Sequence, residues 1–333
     1  METITLSDDT RDFIARELHS TGSPYDDVED FLLDVGAVFS RLPKPVLRQL
    51  FLYRADPAAD GLLLLTNLPV DESLPSTPAD GGRSRGKLTF ISEACALGIA
   101  QLLGDPIGYR DEKDGELVQN LCPLKDALAA PSNESSAIDQ GFHTDLVFDQ
   151  TNPTLPLSLL NPDFVILVCL RPDPYGEACT RYIEARDICQ RLDSDELRIA
   201  RLPIFEFAAT YSFRKKEHRC GSDMIWAGPS SLVTGPERYP ELSIDLCCGV
   251  RGCTEEANRV LEAIQDICRQ PDVAGGRRLK PGDVLLMNNR KGAHSRTRFA
   301  ARFDGSDRWV QRVYVRRNLW QLRHRLDGSL RIF

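Results

Sequence analysis

Long apolar segments are missing from this sequence of 333 residues. The longest apolar runs, at 61–65 and 164–170, fall far short of the roughly 20 residues that a membrane-spanning helix requires. The first residues also lack the basic and apolar regions that mark a secretory signal. We therefore expect a cytoplasmic location and no membrane partner.

A basic surface for nucleic acid is missing as well. The chain carries 41 Lys and Arg residues against 49 Asp and Glu residues, and the two signs are interspersed along its length. The net charge of −8 and this even distribution predict no nucleic-acid partner. No internal repeat and no low-complexity linker divides the sequence, so a single domain is the simplest interpretation. The sequence leaves the oligomeric state open.

Cysteine is plentiful, with ten residues, but no Cys-x-x-Cys pair occurs. The nearest cluster, Cys247, Cys248 and Cys253, has no second pair and no histidine at zinc-finger spacing. We expect buried, reduced thiols, and a cysteine metal site is the alternative.

The hydrophobic pattern changes along the chain. Apolar residues three and four apart predict helices at 8–19, 25–41 and 44–54, and an apolar helix at 92–103 with Ser92 as its cap. From residue 116 onward, short β-branched and apolar runs predict strands, interrupted by helices at 184–201 and 254–269. Many strands after a helical N-terminal part favour an α+β protein with a sandwich or jelly-roll core and helices packed outside it.

Histidine is scarce, with five residues, and one of them begins a short motif. His143 and Asp145 are two positions apart, so on a strand both side chains face the same side and can share one metal ion. The alternative is a core histidine beside a surface aspartate.

A second histidine follows a predicted buried strand. Residues 284–287 are apolar, and Asn288, Asn289 and Arg290 lead from them to His294. A histidine delivered by a core strand can complete a triad of two histidines and one carboxylate with open positions, which suits non-haem Fe(II) and oxygen chemistry. Zinc sites usually leave fewer positions open.

Two arginines lie on the last predicted strand. Arg308 and Arg312 are four positions apart, so a strand projects both from one face. A buried guanidinium needs an anion, and the carboxylate of a bound small molecule matches its fork of donors. An exposed strand face with two solvated arginines is the alternative.

These residues belong to longer motifs. They are GLLLLTNLP at 61–69, GFHTD at 141–145, PDFVILVCLR at 162–171, NNRKGAHSR at 288–296 and FDGSDRWVQR at 303–312. Across about residues 60–316 the chain resembles the clavaminate synthase-like Fe(II)/2-oxoglutarate oxygenases, especially the free amino-acid hydroxylases that act on asparagine, arginine and lysine. The resemblance implies a double-stranded β-helix (jelly-roll) core with flanking helices. It divides a single domain, 1–333, into a helical part at 1–57, a core at 58–316 and an extension at 317–333.

The resemblance also assigns roles by position. His143, Asp145 and His294 are similar to the iron ligands, and Arg308 with Thr180 to the residues that bind 2-oxoglutarate. The substrate-binding positions are Arg312 for the α-carboxylate, Gln119 for the α-amino group and Asp245 for the side chain.

The sequence departs from the pattern of these hydroxylases at two positions. Asp145 occupies a position where the close hydroxylases carry glutamate, and Cys247 replaces a second side-chain acid, which weakens an arginine or lysine substrate.

The implied activity is hydroxylation of an unactivated carbon of an L-amino acid, in specialised metabolism such as antibiotic biosynthesis. It requires Fe(II), with 2-oxoglutarate and O2 as co-substrates, and it yields succinate and CO2. Desaturation, or hydroxylation of a carrier-linked or peptide-linked amino acid, remains an alternative on the same site. A non-catalytic jelly-roll module that binds a small molecule is the alternative from a different class.

Overall fold

The structure is a computed structural model that describes residues 2–130, 132, 134–148, 160–210, 225–247, 249–325 and 331. Seven α-helices occur within these residues: α1 Asp8–Leu18, α2 Val28–Phe39, α3 Lys44–Ala55, α4 Ile91–Leu103, α5 Ala185–Cys189, α6 Ser194–Ala200 and α7 Glu255–Arg269. Short 3-10 helices cover Lys113–Gly115, Lys125–Ala127 and Leu319–Arg325.

Sixteen strands occur in the same described residues. They are β1 Glu2–Thr5, β2 Leu62–Thr66, β3 Asp105–Ile107, β4 Gln119–Leu121, β5 Gln140–His143, β6 Phe164–Arg171, β7 Thr180–Glu184, β8 Phe205–Ala208, β9 Trp226–Ser230, β10 Val233–Thr234, β11 Glu241–Leu242, β12 Val250–Gly252, β13 Gly275–Arg277, β14 Val284–Asn288, β15 Gly292–Arg296 and β16 Trp309–Arg316. The protein therefore combines helices and sheets, as the sequence predicts.

A seven-stranded sheet forms one layer of the protein, in the order β1-β2-β14-β6-β16-β3, with β4 also paired to β16. Its central strand β6 is buried along nearly its whole length, because both of its faces are covered. Phe164 and Ile166 pack toward α1–α4, while Val165 and Leu167 face the opposite side. Because of this alternation, one face of the sheet is covered by helices and the other faces the strands of the smaller sheets.

A four-stranded sheet, in the order β13-β7-β15-β5, carries part of the second layer. A three-stranded sheet of β12, β8 and β9 and the pair β10-β11 accompany it. Behind them, α7 buries an apolar face that includes Val260 and Ile264 against Phe205 and Phe207. The helix begins at Glu255 because the Thr254 side chain accepts a hydrogen bond from Ala257 N.

Several predicted elements are confirmed, and some predictions are wrong. The three N-terminal helices lie where the sequence places them, but residues 2–5 form a strand, β1, that pairs in parallel with β2. Ser92 is not a helix cap, because α4 begins at Ile91. Instead the remote Asp71 carboxylate accepts hydrogen bonds from Ile91 N at 3.1 Å and Ser92 N at 3.3 Å.

The helix predicted at 184–201 is two helices, α5 and α6. Asp193 starts the second one through a capping box with Glu196, which interrupts the helix between residues 190 and 193.

The cysteine prediction is correct for the reduced state of the eight described cysteines. Burial is confirmed for Cys95, Cys122, Cys169 and Cys268, whereas Cys179, Cys189 and Cys247 are half-buried and Cys253 is exposed. Cys220 and Cys248 lie outside the described residues. No described helix is long and apolar enough to span a membrane.

Candidate active site

Three of the predicted site residues meet where β5 and β15 pair. His143 is the last residue of β5 and stands opposite His294 in the antiparallel register, so their rings lie 4.3 Å apart. Asp145 follows His143 by two positions. One ligand atom of each residue lies within 4.8 Å of the other two. Residues from distant parts of the chain thus converge as a triad that can hold a metal ion.

A backbone carbonyl orients the first imidazole. Nδ1 of His143 lies 2.9 Å from Gly141 O, and a carbonyl only accepts, so Nδ1 carries the proton. This bond leaves Nε2 with its lone pair, which is the form that binds a metal. Nε2 makes a long contact of 3.4 Å with Nε2 of Gln140.

The pKa values of His143 and His294 are shifted in opposite directions. Burial alone lowers the pKa of His143, but the negative groups around it, with Cys247 and Asp145 foremost, outweigh burial and raise it. Burial, and then the neighbouring His143, lowers the pKa of His294 to about 3. His294 is therefore neutral at physiological pH and able to donate a lone pair.

The carboxylate between them has one oxygen satisfied and one oxygen orphaned. Tyr314 OH donates to Oδ1 of Asp145 at 2.9 Å, and Oδ2 has no hydrogen-bond partner among the described residues. Burial raises the pKa of Asp145, but the positive charge of Arg312 and the hydrogen bond from Tyr314 outweigh burial, so the pKa lies below its ordinary value. Oδ2 lies 3.4 Å from Nε2 of the neutral His294. A divalent cation satisfies both of these lone-pair atoms, and the donor set of two histidines and one carboxylate fits Fe(II).

Arg308 lies just before β16 and is 7% exposed. It makes no hydrogen bond and no ion pair with any described residue; its guanidinium stands 5.8 Å from the ring of Phe299. Burial lowers its pKa below the ordinary value. Together with Thr180 and Cys169 it lines a cavity of about 230 Å³. A buried, unpartnered guanidinium beside a cavity is prepared for an anionic ligand.

Arg312 faces the same side of β16 but is surrounded by polar groups. Its Nη2 lies 2.7 Å from Oε1 of Glu112, and its Nε donates to Oε1 of Gln119 at 3.0 Å. Its Nη1 lies 3.4 Å from Oδ1 of Asp145, which connects this cluster to the triad. Burial opposes the charge, but Glu112 and the other neighbours outweigh it and raise the pKa of Arg312 above its ordinary value.

Asp245 also lies at the triad. It forms an isolated β-bridge with His143 and is 1% exposed. Its Oδ1 accepts a hydrogen bond from Cys247 N at 2.9 Å. The structure therefore brings the predicted residues Gln119, Asp245 and Arg312 around the ligand triad.

Sequence reasoning missed three residues of this site: Glu112, Asn289 and Tyr314. Tyr314 had a signal, because it is two positions after Arg312 on the same strand and so shares its face. Asn289 belongs to the motif that leads to His294, although its role does not follow from the motif. Glu112 stands in an irregular segment between β3 and β4, where no periodicity marks a buried carboxylate.

A larger cavity of about 530 Å³ lies elsewhere and includes Glu184, Lys291 and Arg317 in its lining, but none of the triad. The Lys291 ammonium is already used by the backbone, since it donates to Asp56 O at 3.0 Å and Ala59 O at 2.7 Å. The size of a cavity therefore does not identify the candidate active site. Buried polar groups without a partner, such as Oδ2 of Asp145, do.

Comparison with known proteins places this geometry in context. Residues 58–314 match the family described as "Taurine catabolism dioxygenase TauD, TfdA family". The chain is 32% identical to the L-asparagine oxygenase of Streptomyces coelicolor, over 82% of this chain and 76% of the relative. It is also 32% identical to the enduracididine beta-hydroxylase of Streptomyces hygroscopicus, over 100% of this chain and 99% of the relative. A solved asparagine oxygenase in complex with Fe(II), 2S,3S-3-hydroxyasparagine and succinate superposes with a TM-score of 0.86 at 29% identity, covering 100% of this chain and 99% of that chain.

Proposed function

Because the chain belongs to the TauD/TfdA family of dioxygenases, we propose that it is an Fe(II)- and 2-oxoglutarate-dependent oxygenase that hydroxylates a free L-amino acid. The observation that carries this proposal is the convergence of His143, Asp145 and His294 within 4.8 Å. The asparagine oxygenase and the enduracididine beta-hydroxylase support the amino-acid substrate class.

We infer that the two layers of sheet are the walls of a double-stranded β-helix. In this arrangement the four-stranded sheet supplies His143 and His294, and the seven-stranded sheet supplies Arg312 and Tyr314. The core comprises 58–316 of a single domain, with 1–57 as a helical part packed on it and 317–333 as a C-terminal extension. The support is that one site draws its side chains from both sheets.

His143, Asp145 and His294 would hold the metal, with Nε2 of His143 and Oδ2 of Asp145 available to it. Fe(II) bound there with 2-oxoglutarate would activate O2, which is the oxidant both for the conversion of the keto acid to succinate and CO2 and for hydroxylation of the amino acid. The chain contributes ligands, orientation and a buried environment from which water is excluded.

Arg308 holds the distal carboxylate of 2-oxoglutarate. A planar guanidinium matches a carboxylate in a bidentate way, and the ligand provides the direct ion pair that Arg308 lacks among the described residues. Thr180 lines the same cavity and adds a hydroxyl donor, and Cys169 and Val310 form apolar walls beside it. The cavity thus accepts an acid with a short chain.

Arg312, Gln119 and Glu112 hold the head group of the amino acid. A zwitterion needs a cation and an anion side by side, and Arg312 and Glu112 provide them 2.7 Å apart. The α-carboxylate faces Arg312, while the α-ammonium faces Glu112 and the Gln119 amide oxygen. This fixes which carbon reaches the metal, since both ends of the head group are held.

Asp245 and Cys247 receive the substrate side chain. One carboxylate beside a thiol suits a polar side chain with hydrogen-bond donors better than a guanidinium, which is best held by two carboxylates. Among free amino acids, a carboxamide side chain is the first candidate.

The proposal is tested by the release of succinate from 2-oxoglutarate in the presence of Fe(II) and each free amino acid in turn. We expect one or a few polar amino acids to stimulate release, and His143→Ala to abolish it. His19→Ala is the matched control, because His19 is exposed at the end of α1 and should keep full activity. Full activity in His143→Ala would refute the metal centre, and stimulation by no amino acid would refute the substrate class.

A further inference from the structure

Asp145 lies outside any strand, yet its backbone is held on both sides. Its N–H donates to Oδ1 of Asn289 at 2.8 Å, and its carbonyl accepts from Nδ2 of Asn289 at 3.0 Å. The same Nδ2 donates to Pro162 O at 3.0 Å. One side-chain amide therefore replaces the two hydrogen bonds that a neighbouring strand would give to the peptide of Asp145.

Asn289 is itself rigidly placed. It follows β14, is 3% exposed, and its own N–H donates to Asp163 O at 2.9 Å. The amide oxygen accepts one of the three side-chain bonds and the nitrogen donates the other two, so a side chain without both functions cannot make them all.

The carboxylate of Asp145 is held by a different residue. Tyr314 OH donates to Oδ1 at 2.9 Å, and the ring of Tyr314 is fixed by an edge contact with Tyr109 at 5.5 Å and by the Arg312 guanidinium at 4.3 Å. Oδ2 receives no hydrogen bond from any described residue. The two oxygens are therefore inequivalent before any metal binds.

The length of the side chain explains why this support matters. Aspartate has one methylene fewer than glutamate, so the position of its carboxylate depends closely on the position of its backbone. It also has one side-chain torsion fewer, and so it compensates less for a displacement of that backbone. A small displacement of residue 145 would carry Oδ2 away from the two imidazoles. Groups that orient a ligand in this way commonly change metal affinity by about 10–100-fold.

We propose that Asn289 and Tyr314 are positioning residues that hold Asp145 as a metal ligand through Oδ2 alone, Asn289 by fixing the backbone and Tyr314 by occupying Oδ1. The inference rests on the proposed metal centre. It adds that the middle ligand is preorganised as a one-oxygen donor by groups that do not touch the metal.

The test is the binding of Mn(II) to the metal-free protein without 2-oxoglutarate, followed by calorimetry and by the electron paramagnetic resonance spectrum of the bound ion. We expect Tyr314→Phe and Asn289→Ala each to weaken Mn(II) binding about 10–100-fold. In Tyr314→Phe we also expect the spectrum of the bound ion to change, because Oδ1 loses its hydroxyl donor, keeps only the 3.4 Å contact with Arg312 and can then join Oδ2 on the metal. Tyr109→Phe is the matched control, since its hydroxyl donates to Leu160 O, and it should leave both readouts unchanged.

The outcomes separate this inference from the proposed function. If His143→Ala binds Mn(II) as well as the unmodified protein does, the metal centre itself is wrong. If His143→Ala loses Mn(II) while Tyr314→Phe keeps both the affinity and the spectrum, the positioning role is wrong. Weaker binding with an unchanged spectrum would also overturn the one-oxygen assignment. Tyr314→Phe removes a single oxygen atom and decides the test even if Asn289→Ala fails to fold.

Discussion

Arg308, just before β16, and Arg312, within it, are both buried, but their surroundings are opposite. Arg312 is paired with Glu112, bonded to Gln119 and close to Asp145. Arg308 has no polar partner among the described residues, although it is equally buried. The pKa of Arg312 is raised by its neighbours, whereas burial lowers the pKa of Arg308.

One segment of chain can therefore carry two kinds of binding group: an arginine that is already paired within the protein, and an arginine that is left for the ligand to pair. At Arg312 the counter-charge is built into the protein, so a zwitterionic ligand exchanges partners within an existing network. At Arg308 the counter-charge is left to the ligand, and the empty protein bears the cost of an unpaired buried charge. Stability and binding should therefore change in the same direction at Arg312 and in opposite directions at Arg308.

The largest expected effect is at Arg312. Arg312→Met leaves Glu112 buried without its cation, and breaking a buried pair in this way costs about 3–5 kcal/mol. We expect the free energy of unfolding in urea to fall by that amount, and amino-acid stimulated succinate release to be lost. An unchanged free energy of unfolding would contradict the pairing.

At Arg308 the same substitution should stabilise the empty protein. Arg308→Met replaces an unpaired buried charge with an apolar chain of similar length, and we expect the free energy of unfolding to rise by about 1–4 kcal/mol, the range known for apolar replacement of buried ion pairs. The affinity for 2-oxoglutarate should fall about 10–100-fold, since hydrogen bonds to a charged group contribute about 1.5–3 kcal/mol. Urea unfolding without ligand and titration with 2-oxoglutarate measure the two effects. A loss of stability would mean that Arg308 has a counter-ion in the protein.

A smaller effect is expected when the built-in anion is neutralised. Glu112→Gln keeps the shape of the side chain but removes the charge that faces the substrate ammonium, so KM for the amino acid should rise about tenfold, or about 1.4 kcal/mol. KM for 2-oxoglutarate should not change, because its site is at Arg308. Glu116→Gln, at a carboxylate that pairs with Arg83 instead, is the control and should alter neither KM.

The smallest effect concerns substrate choice. Cys247→Asp places a second acid beside Asp245, and the ratio of kcat/KM for lysine or arginine to that for the preferred amino acid should rise several-fold, on the order of 1 kcal/mol. Cys253→Asp is the matched control, because Cys253 is exposed and should not change the ratio. A ratio that stays the same in Cys247→Asp would place the substrate side chain elsewhere.

Much of this site is predictable from the sequence because its residues lie on strands or directly beside them. The spacings of His143 and Asp145 and of Arg308 and Arg312 follow the two-residue period of a strand, although Asp145 comes after β5 and Arg308 just before β16. The structure brings His143 and Asp145 together at the triad. Glu112 lies in an irregular segment 200 positions from its partner Arg312 and follows no period, so its pairing depends on tertiary structure alone. The capping of α4 by Asp71, which lies in a loop, likewise depends on tertiary structure and follows no sequence period.

The most direct test of the account is the position of 2-oxoglutarate in a crystal grown without oxygen, with Fe(II) present. The account predicts iron on His143, Asp145 and His294, with the distal carboxylate of the keto acid on Arg308 and the Glu112–Arg312 pair intact. A carboxylate bound to Arg312 in place of Glu112, with Arg308 still unpartnered, would contradict it.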